Sequence, residues 1–224
     1  MGDQEQKTAP LPCVECKRAM NSPMVCASCG ALNPLPPDTF NHFELFDMEP
    51  SFDLDEQMLH QKYLSLSRSV HPDIAGREPG KIRKRSLTLS SELNRAYDTL
   101  RDHTSRAEYL LSLAGGPSAA DDKSVPPELL GEIVMLREAI EEAITSNDRE
   151  ALYNLKQPIA IKRQAILEQI AQLCRSLEPG NTAVHKQLRS QLNAIKYWNN
   201  LMDQLPTGAY RDEDDHTDNQ DPTP

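Results

Sequence analysis

Long apolar runs are missing from this 224-residue sequence. No stretch approaches the ~20 consecutive apolar residues that a membrane-spanning helix needs. Aromatics are scarce, at one Trp, four Phe and six Tyr. Alternating strand patterns are absent, apart from whatever the cysteine segment holds, so a mainly helical chain is expected. Positive charge is in deficit as well. The net charge is −10, which argues against a general nucleic-acid binder, because neutralising phosphates takes clustered Lys and Arg. Met1 to Lys7 is polar and partly acidic, unlike a secretory signal or an Arg-rich, acid-poor transit peptide. A cytoplasmic chain of bacterial type with no membrane association is the expectation. The length leaves room for one or two domains plus tails.

What is present centres on His71-Pro72-Asp73. Before it, Asp53 to Val70 lines up Leu59, Tyr63, Leu66 and Val70 on one helical face, with His60, Lys62 and Arg68 opposite. After it, Leu87 to Leu100 lines up Leu89, Leu93, Ala96, Tyr97 and Leu100. Two such stripes bury each other only if the helices are antiparallel, and that thrusts the connecting loop out at one end. Pro72 disfavours helical geometry at His71, so the first helix should stop there. The loop then offers solvent an imidazole, a rigid ring and a carboxylate, on the kind of exposed support where binding is expected. Asp53 with Glu56 has the form of a capping box that starts the long helix. Asn41 to Phe46 should form a short helix or turn ahead of it. Gly76 to Gly80, with Pro79, lengthens the loop, and Lys81, Arg83, Lys84 and Arg85 lead into the next helix.

These residues resemble a J-domain, the module that docks on DnaK-type chaperones and stimulates their ATP hydrolysis. The flanking words are similar to one subfamily, the HscB co-chaperones of iron–sulfur cluster assembly. They are Phe43-Glu44-Leu45-Phe46, then Asn94, Ala96, Tyr97, Thr99 and Leu100, then Arg106-Ala107-Glu108-Tyr109-Leu110-Leu111. The resemblance covers about Asn41 to Leu205 and is densest from Phe43 to Leu113. It implies that His71, Pro72 and Asp73 contact an HscA/DnaK-type ATPase chaperone. Lys62, Arg68 and the basic run would attract an acidic surface of that partner, an effect that mainly speeds and orients encounter. The family often carries Lys directly after the tripeptide, where this chain has Ile74.

Upstream lies a C-x2-C-x9-C-x2-C array of Cys13, Cys16, Cys26 and Cys29. Two such pairs aim four thiolates at one point and suit tetrahedral zinc with no open position for catalysis. Gly30 follows the second pair, where a knuckle needs positive φ. Disulfides are disfavoured in a cytosolic chain, and no thioredoxin-like pattern follows the CxxC pairs. Iron in a rubredoxin-like site stays open, because thiolate ligands alone do not separate the two metals. Some HscB-family members carry a similar tetracysteine module. Cys174 sits on an apolar helical stripe and reads as core.

The domain plan follows the prolines and glycines. Residues 1–37 hold a disordered start, the zinc knuckle and a stiff linker from Leu32 to Asp38 with Pro34, Pro36 and Pro37. Residues 38–114 are the J-domain, closed by a short helix from Ser105 to Leu113. Residues 115–126 are a linker. Residues 127–206 read as an antiparallel three-helix bundle, with helices from about Pro127 to Ile144, Asp148 to Leu177 and Thr182 to Leu205. Pro158 should kink or break the second near Leu155. Residues 207–224 are an acidic tail, expected to be disordered. The fold class is all-α.

The first bundle helix has more apolar residues than one buried stripe requires. The resemblance implies that this helix and the last bear the patch for IscU, the iron–sulfur scaffold protein, with Leu130, Val134, Glu138, Glu142 and Tyr197 as its residues. Gly131 stands where the family tends to have a large apolar residue. A wide core face plus solvated acids is the plainer account of the same pattern. Other functions fit less. His71 and Asp73 have no nucleophile, oxyanion donor or phosphate loop nearby, so the chain is not read as an enzyme. A zinc-containing nucleic-acid regulator would rest on the cysteines and Lys81 to Arg85 alone, against the acidic balance. A general J-domain co-chaperone for another client is the alternative, and a homodimer is left open.

Overall fold

A computed structural model describes residues 12–20, 22–35, 39–71, 73 and 80–206. Its described residues form seven helices and two isolated β-bridges, Pro12 with Ala19 and Val25 with Leu32. The helices are α1 (His42–Leu45), α2 (Glu56–Val70), α3 (Lys81–Arg101), α4 (His103–Leu113), α5 (Leu129–Thr145), α6 (Arg149–Arg175) and α7 (Thr182–Gln204). No helix among the described residues is long and apolar enough to cross a membrane.

The α2–α3 hairpin is antiparallel. Val70 meets Ser86, Tyr63 meets Asn94 and His60 meets Tyr97, in opposite order along the two helices. Leu59 and Val70 are buried against Leu89, Leu93, Ala96 and Leu100. The Tyr63 and Tyr97 rings stack at 4.0 Å between centroids, and His60 Nδ1 lies 2.8 Å from the Tyr97 hydroxyl. His60 therefore lies at the hairpin's seam and not on its opposite face.

Two helix starts differ from the sequence reading. The capping box is at Asn41 and Glu44, where each side chain bonds the other's backbone at the start of α1. Asp55 caps α2 by accepting from the Met58 amide at 2.9 Å, so Asp53 is not the cap. The Asp53 carboxylate is instead engaged by Arg175, whose guanidinium donates to it at 2.7 and 2.8 Å. Helix α3 begins at Lys81, so the basic run lies inside its first turns.

The bundle is α5, α6 and α7. Helix α6 runs unbroken through Pro158, so the expected break near Leu155 does not occur. Proline removes the bond to the carbonyl four residues back. Pro158 and Asn154 are both exposed, so that carbonyl is orphaned on the solvated side of the helix, where the loss is cheapest. Cys174 is buried, as the apolar stripe implied, and burial pushes its thiol up to about 12.

Residues 114–128 do not act as a loose hinge. One continuous apolar cluster includes Phe43 of α1, Leu93 of α3 and Leu111 of α4 with Leu188, Ile195 and Trp198 of α7. Two ion pairs cross the same boundary, Asp53–Arg175 and Glu108–Arg189, the second with a fully buried guanidinium. Asn193 donates to the carbonyls of Asp122 and Ser124 at 2.9 Å and pins the linker to α7. Gly116 is fixed by close approach, because a Cβ there would come within 2.2 Å of Leu111 Cδ1.

Candidate functional site

The exposed corner is built from the end of α2. His71 is the C-cap, with φ −61° and ψ 133°, so the chain leaves the helix there in extended geometry. Its side chain is 52% exposed and that of Asp73 is 88% exposed. The Asp73 amide donates to His71 Nδ1 at 3.2 Å, and the Asp73 carboxylate lies 3.7 Å from the same nitrogen. The corner is anchored from beneath. The Val70 carbonyl accepts from the hydroxyls of both Ser86 and Ser90. An imidazole and a carboxylate thus stand in solvent on a backbone held by α3. Pro72 and residues 74–79, which include Ile74, Gly76 and Pro79, lie outside the described residues, as do residues 1–11, 21, 36–38 and 207–224.

The two expected basic contacts differ. Arg68 is exposed on α2. Lys62 is half-buried, and its ammonium donates to the carbonyls of Phe46 and Asp47 at 2.8 Å each, which ties the end of α1 to α2. Sequence reading missed Arg106, which is buried and donates to the carbonyls of Leu100 and Phe52 and to Glu56. Its only signal was its place at the head of the word Arg106 to Leu111.

On the bundle, Leu130, Val134, Glu138 and Glu142 recur every fourth residue along α5 and all are exposed. Leu130 is 49%, Val134 53% and the neighbouring Met135 72% exposed. Three large apolar side chains in solvent on one helix form a group, which is what makes such exposure informative. Ile133, Ile140 and Ala143 supply the buried stripe instead. Tyr197 on α7 is half-buried and packed against the core. The Glu132–Lys162 ion pair and the Arg163–Asn199 hydrogen bond set one level of the bundle. Leu130 and Tyr197 each lie two residues from that level. At Gly131 the space where a side chain would project is open.

The four knuckle cysteines converge, with their sulfurs all within 4.8 Å of one another. Cys13 to Cys29 and Cys16 to Cys26 are each 3.6 Å apart. A tetrahedron with Zn–S bonds of about 2.3 Å has edges of roughly 3.8 Å, so the donor set fits a thiolate-bound metal ion. Gly30 has φ 73°, as the knuckle requires, and Lys17 takes the same place in the first knuckle with φ 62°. The thiols are pulled apart in acidity. Hydrogen bonding, led by the Cys16 amide, lowers Cys13. Burial opposes ionisation of Cys26, but the Cys29 and Ser28 amides outweigh it and bring it to about 6. The Ala31 amide favours the Cys29 thiolate, yet burial and the neighbouring thiols push it up to about 12. Four thiolates this close resist joint ionisation without a cation between them.

Known proteins resemble this sequence and share its fold. A family model described as the HSCB C-terminal oligomerisation domain matches residues 125–205. A Shewanella loihica protein named co-chaperone protein HscB homolog is 33% identical over 176 residues, which is 78% of this chain and 98% of that protein. A Neisseria meningitidis protein of the same name is 35% identical over 126 residues, 56% of this chain and 76% of that protein. The crystal structure of human co-chaperone protein HscB superposes with a TM-score of 0.72 at 24% identity, over 87% of this chain and 96% of the human one. Chaperone HscB from Vibrio cholerae gives 0.62 at 28% identity, over 74% and 95%.

Proposed function

This chain belongs to the HscB family of co-chaperones, and from that membership we propose that it stimulates the ATPase of an HscA/DnaK-type chaperone and delivers to it an IscU-type iron–sulfur scaffold. The observation that carries the reading is the exposure of His71 and Asp73 at the tip of an antiparallel hairpin. His71, Pro72 and Asp73 make the chaperone contact, with Arg68 and the charge of Lys62 orienting the encounter. Leu130 and Val134 make the apolar centre of the scaffold contact, Glu138 and Glu142 its acidic rim, and Tyr197 its edge on α7. Holding both partners on one body raises the effective concentration of client at the chaperone. The setting is the cytoplasm and the client pathway is iron–sulfur cluster assembly.

The cysteine centre holds structural zinc in this reading, through Cys13, Cys16, Cys26 and Cys29. Metal analysis of the purified protein separates zinc from iron. Bound metal would supply charge that lets all four thiolates coexist and would lock both turns of the knuckle.

A steady-state ATPase assay with purified chaperone and scaffold tests the main claim. Wild type should raise turnover, and His71→Gln should leave it at the level of chaperone alone. Equal stimulation by the two proteins would reject it.

A further inference from the structure

The knuckle and the exposed corner are held by the same turn of α3. Arg85 Nη1 donates to the Leu32 carbonyl at 2.8 Å. The next residue, Ser86, donates to the Val70 carbonyl, the last helical residue before His71, and Ser90 bonds the same oxygen at 3.2 Å. Consecutive side chains therefore grip the cysteine module and the corner.

Leu32 is not part of a free linker. Its backbone follows from how the second knuckle closes: the Cys26 amide donates to the Ala31 carbonyl at 2.9 Å, Val25 bridges to Leu32, and the Asn33 amide donates to the Met24 carbonyl at 2.8 Å. Met24 and Leu32 are buried in the main core with Phe43 and Val70. Among the described residues, Cys13, Met20 and Cys26 are the buried members of the knuckle's own cluster. A segment this small cannot hold its shape by apolar burial, so its fold depends on the metal its thiols gather.

Apart from Ile82, which packs against the main core, the first turn of α3 has few other ties. Its N-cap, Gly80, gives no side-chain cap bond, and the turn has no acidic residue. Lys81, Arg83 and Lys84 stand where the helix dipole disfavours positive charge. The tie from Arg85 thus adds to the packing of Ile82 in fixing this turn.

We infer that metal occupancy of the tetracysteine knuckle sets the order of the first turn of α3 through Arg85 and, through Ser86 and Ser90, the geometry of the Val70–His71 corner. The device is a metal-dependent control on the docking corner, and its effect on a chaperone rests on the function proposed above. The coupling itself does not.

Hydrogen exchange on the full chain tests it, with zinc bound and after chelation under reducing conditions. Amides of a peptide spanning Lys81 to Ser90 should exchange about tenfold faster without zinc, the effect of losing one charge-assisted hydrogen bond, while α7 amides stay unchanged. Arg85→Met should keep one metal per chain, show the faster exchange with zinc bound, and gain no further acceleration on chelation. Identical exchange with and without zinc, or a wild-type response to chelation in Arg85→Met, would overturn the inference. So would acceleration of equal size in α7, which would mean general unfolding. A chaperone titration of wild type separates the two claims: coupling with no chaperone binding sinks the docking reading and leaves this one standing.

Discussion

The corner at His71 and the outer face of α5 reach solvent by different routes. At the corner, exposure is local. The helix ends, the backbone extends, and two polar side chains stand on a carbonyl gripped by Ser86 and Ser90. On α5, exposure is a surplus. The helix buries Ile133, Ile140 and Ala143 and still has Leu130, Val134 and Met135 left over. The first arrangement concentrates recognition in a few groups with fixed geometry, so a single change removes it. The second spreads recognition over area, so changes there act by degrees. Exchange of one region should leave the other intact, and that independence is what can be broken.

The largest effect is expected from His71→Gln. It should abolish ATPase stimulation while scaffold affinity, read by calorimetry, stays at the wild-type value. A parallel loss of scaffold binding would show that the two regions are not separate.

Glu108→Gln strikes the boundary between them. Arg189 is fully buried, and its Nε finds no hydrogen-bond partner among the described residues, so Glu108 is its main compensation. Leaving that charge unpaired should cost about 3 kcal/mol and lower the melting temperature by roughly 6–12 °C for a chain of this size. Glu108→Gln combined with Arg189→Met should recover most of the loss. If scaffold-dependent stimulation falls in the single variant before unfolding sets in, the fixed angle between the regions matters to function.

Leu130→Ser with Val134→Ser tests the graded face. Each side chain is about half exposed, so the folded chain loses little. Scaffold affinity should fall on the order of tenfold to hundredfold, with stimulation by the J-domain alone unchanged. Gly131→Ala then sharpens the same face from the other side. The site has open space and helical geometry. Replacing glycine in the first turn of α5 should add at most about 1 kcal/mol of stability, seen as a higher thermal midpoint with no loss of affinity. A drop in affinity would mean the partner's backbone approaches closely there.

The asymmetry between the regions also governs what could be read in the sequence. The corner was legible because Pro72 stops α2 by a local rule and two helical stripes demand an antiparallel hairpin. The cysteine centre was legible because pair spacing carries its own geometry. Periodicity could not separate Leu130, which is exposed, from Leu129, which is buried, since that depends on where α6 and α7 lie. Asp53 looked like a cap because Glu56 stands three residues on, but Asp55 competes for the same amides and Arg175, far along the chain, claims Asp53. Nor could the sequence show that Arg85 reaches the Leu32 carbonyl and turns an expected linker into a packed joint. Apart from the local competition of Asp55, these misses are long-range contacts overriding a local pattern.

The smallest effect belongs to that same Asp53. The Arg175 guanidinium beside it holds its carboxyl below the usual aspartate range. A depressed native value means that the ionised form is favoured by folding. The stabilisation is therefore complete above the ordinary aspartate range and is lost as pH falls through the native value. Both side chains are more than half exposed, so solvent screening keeps the contribution small. Asp53→Asn should lower the melting temperature slightly at neutral pH, and the gap to wild type should close as the pH is lowered and shrink in high salt. A gap that persists at low pH would assign the effect to neutral hydrogen bonds between α6 and the start of the J-domain. In that case the two regions are joined at this point by shape and not by charge.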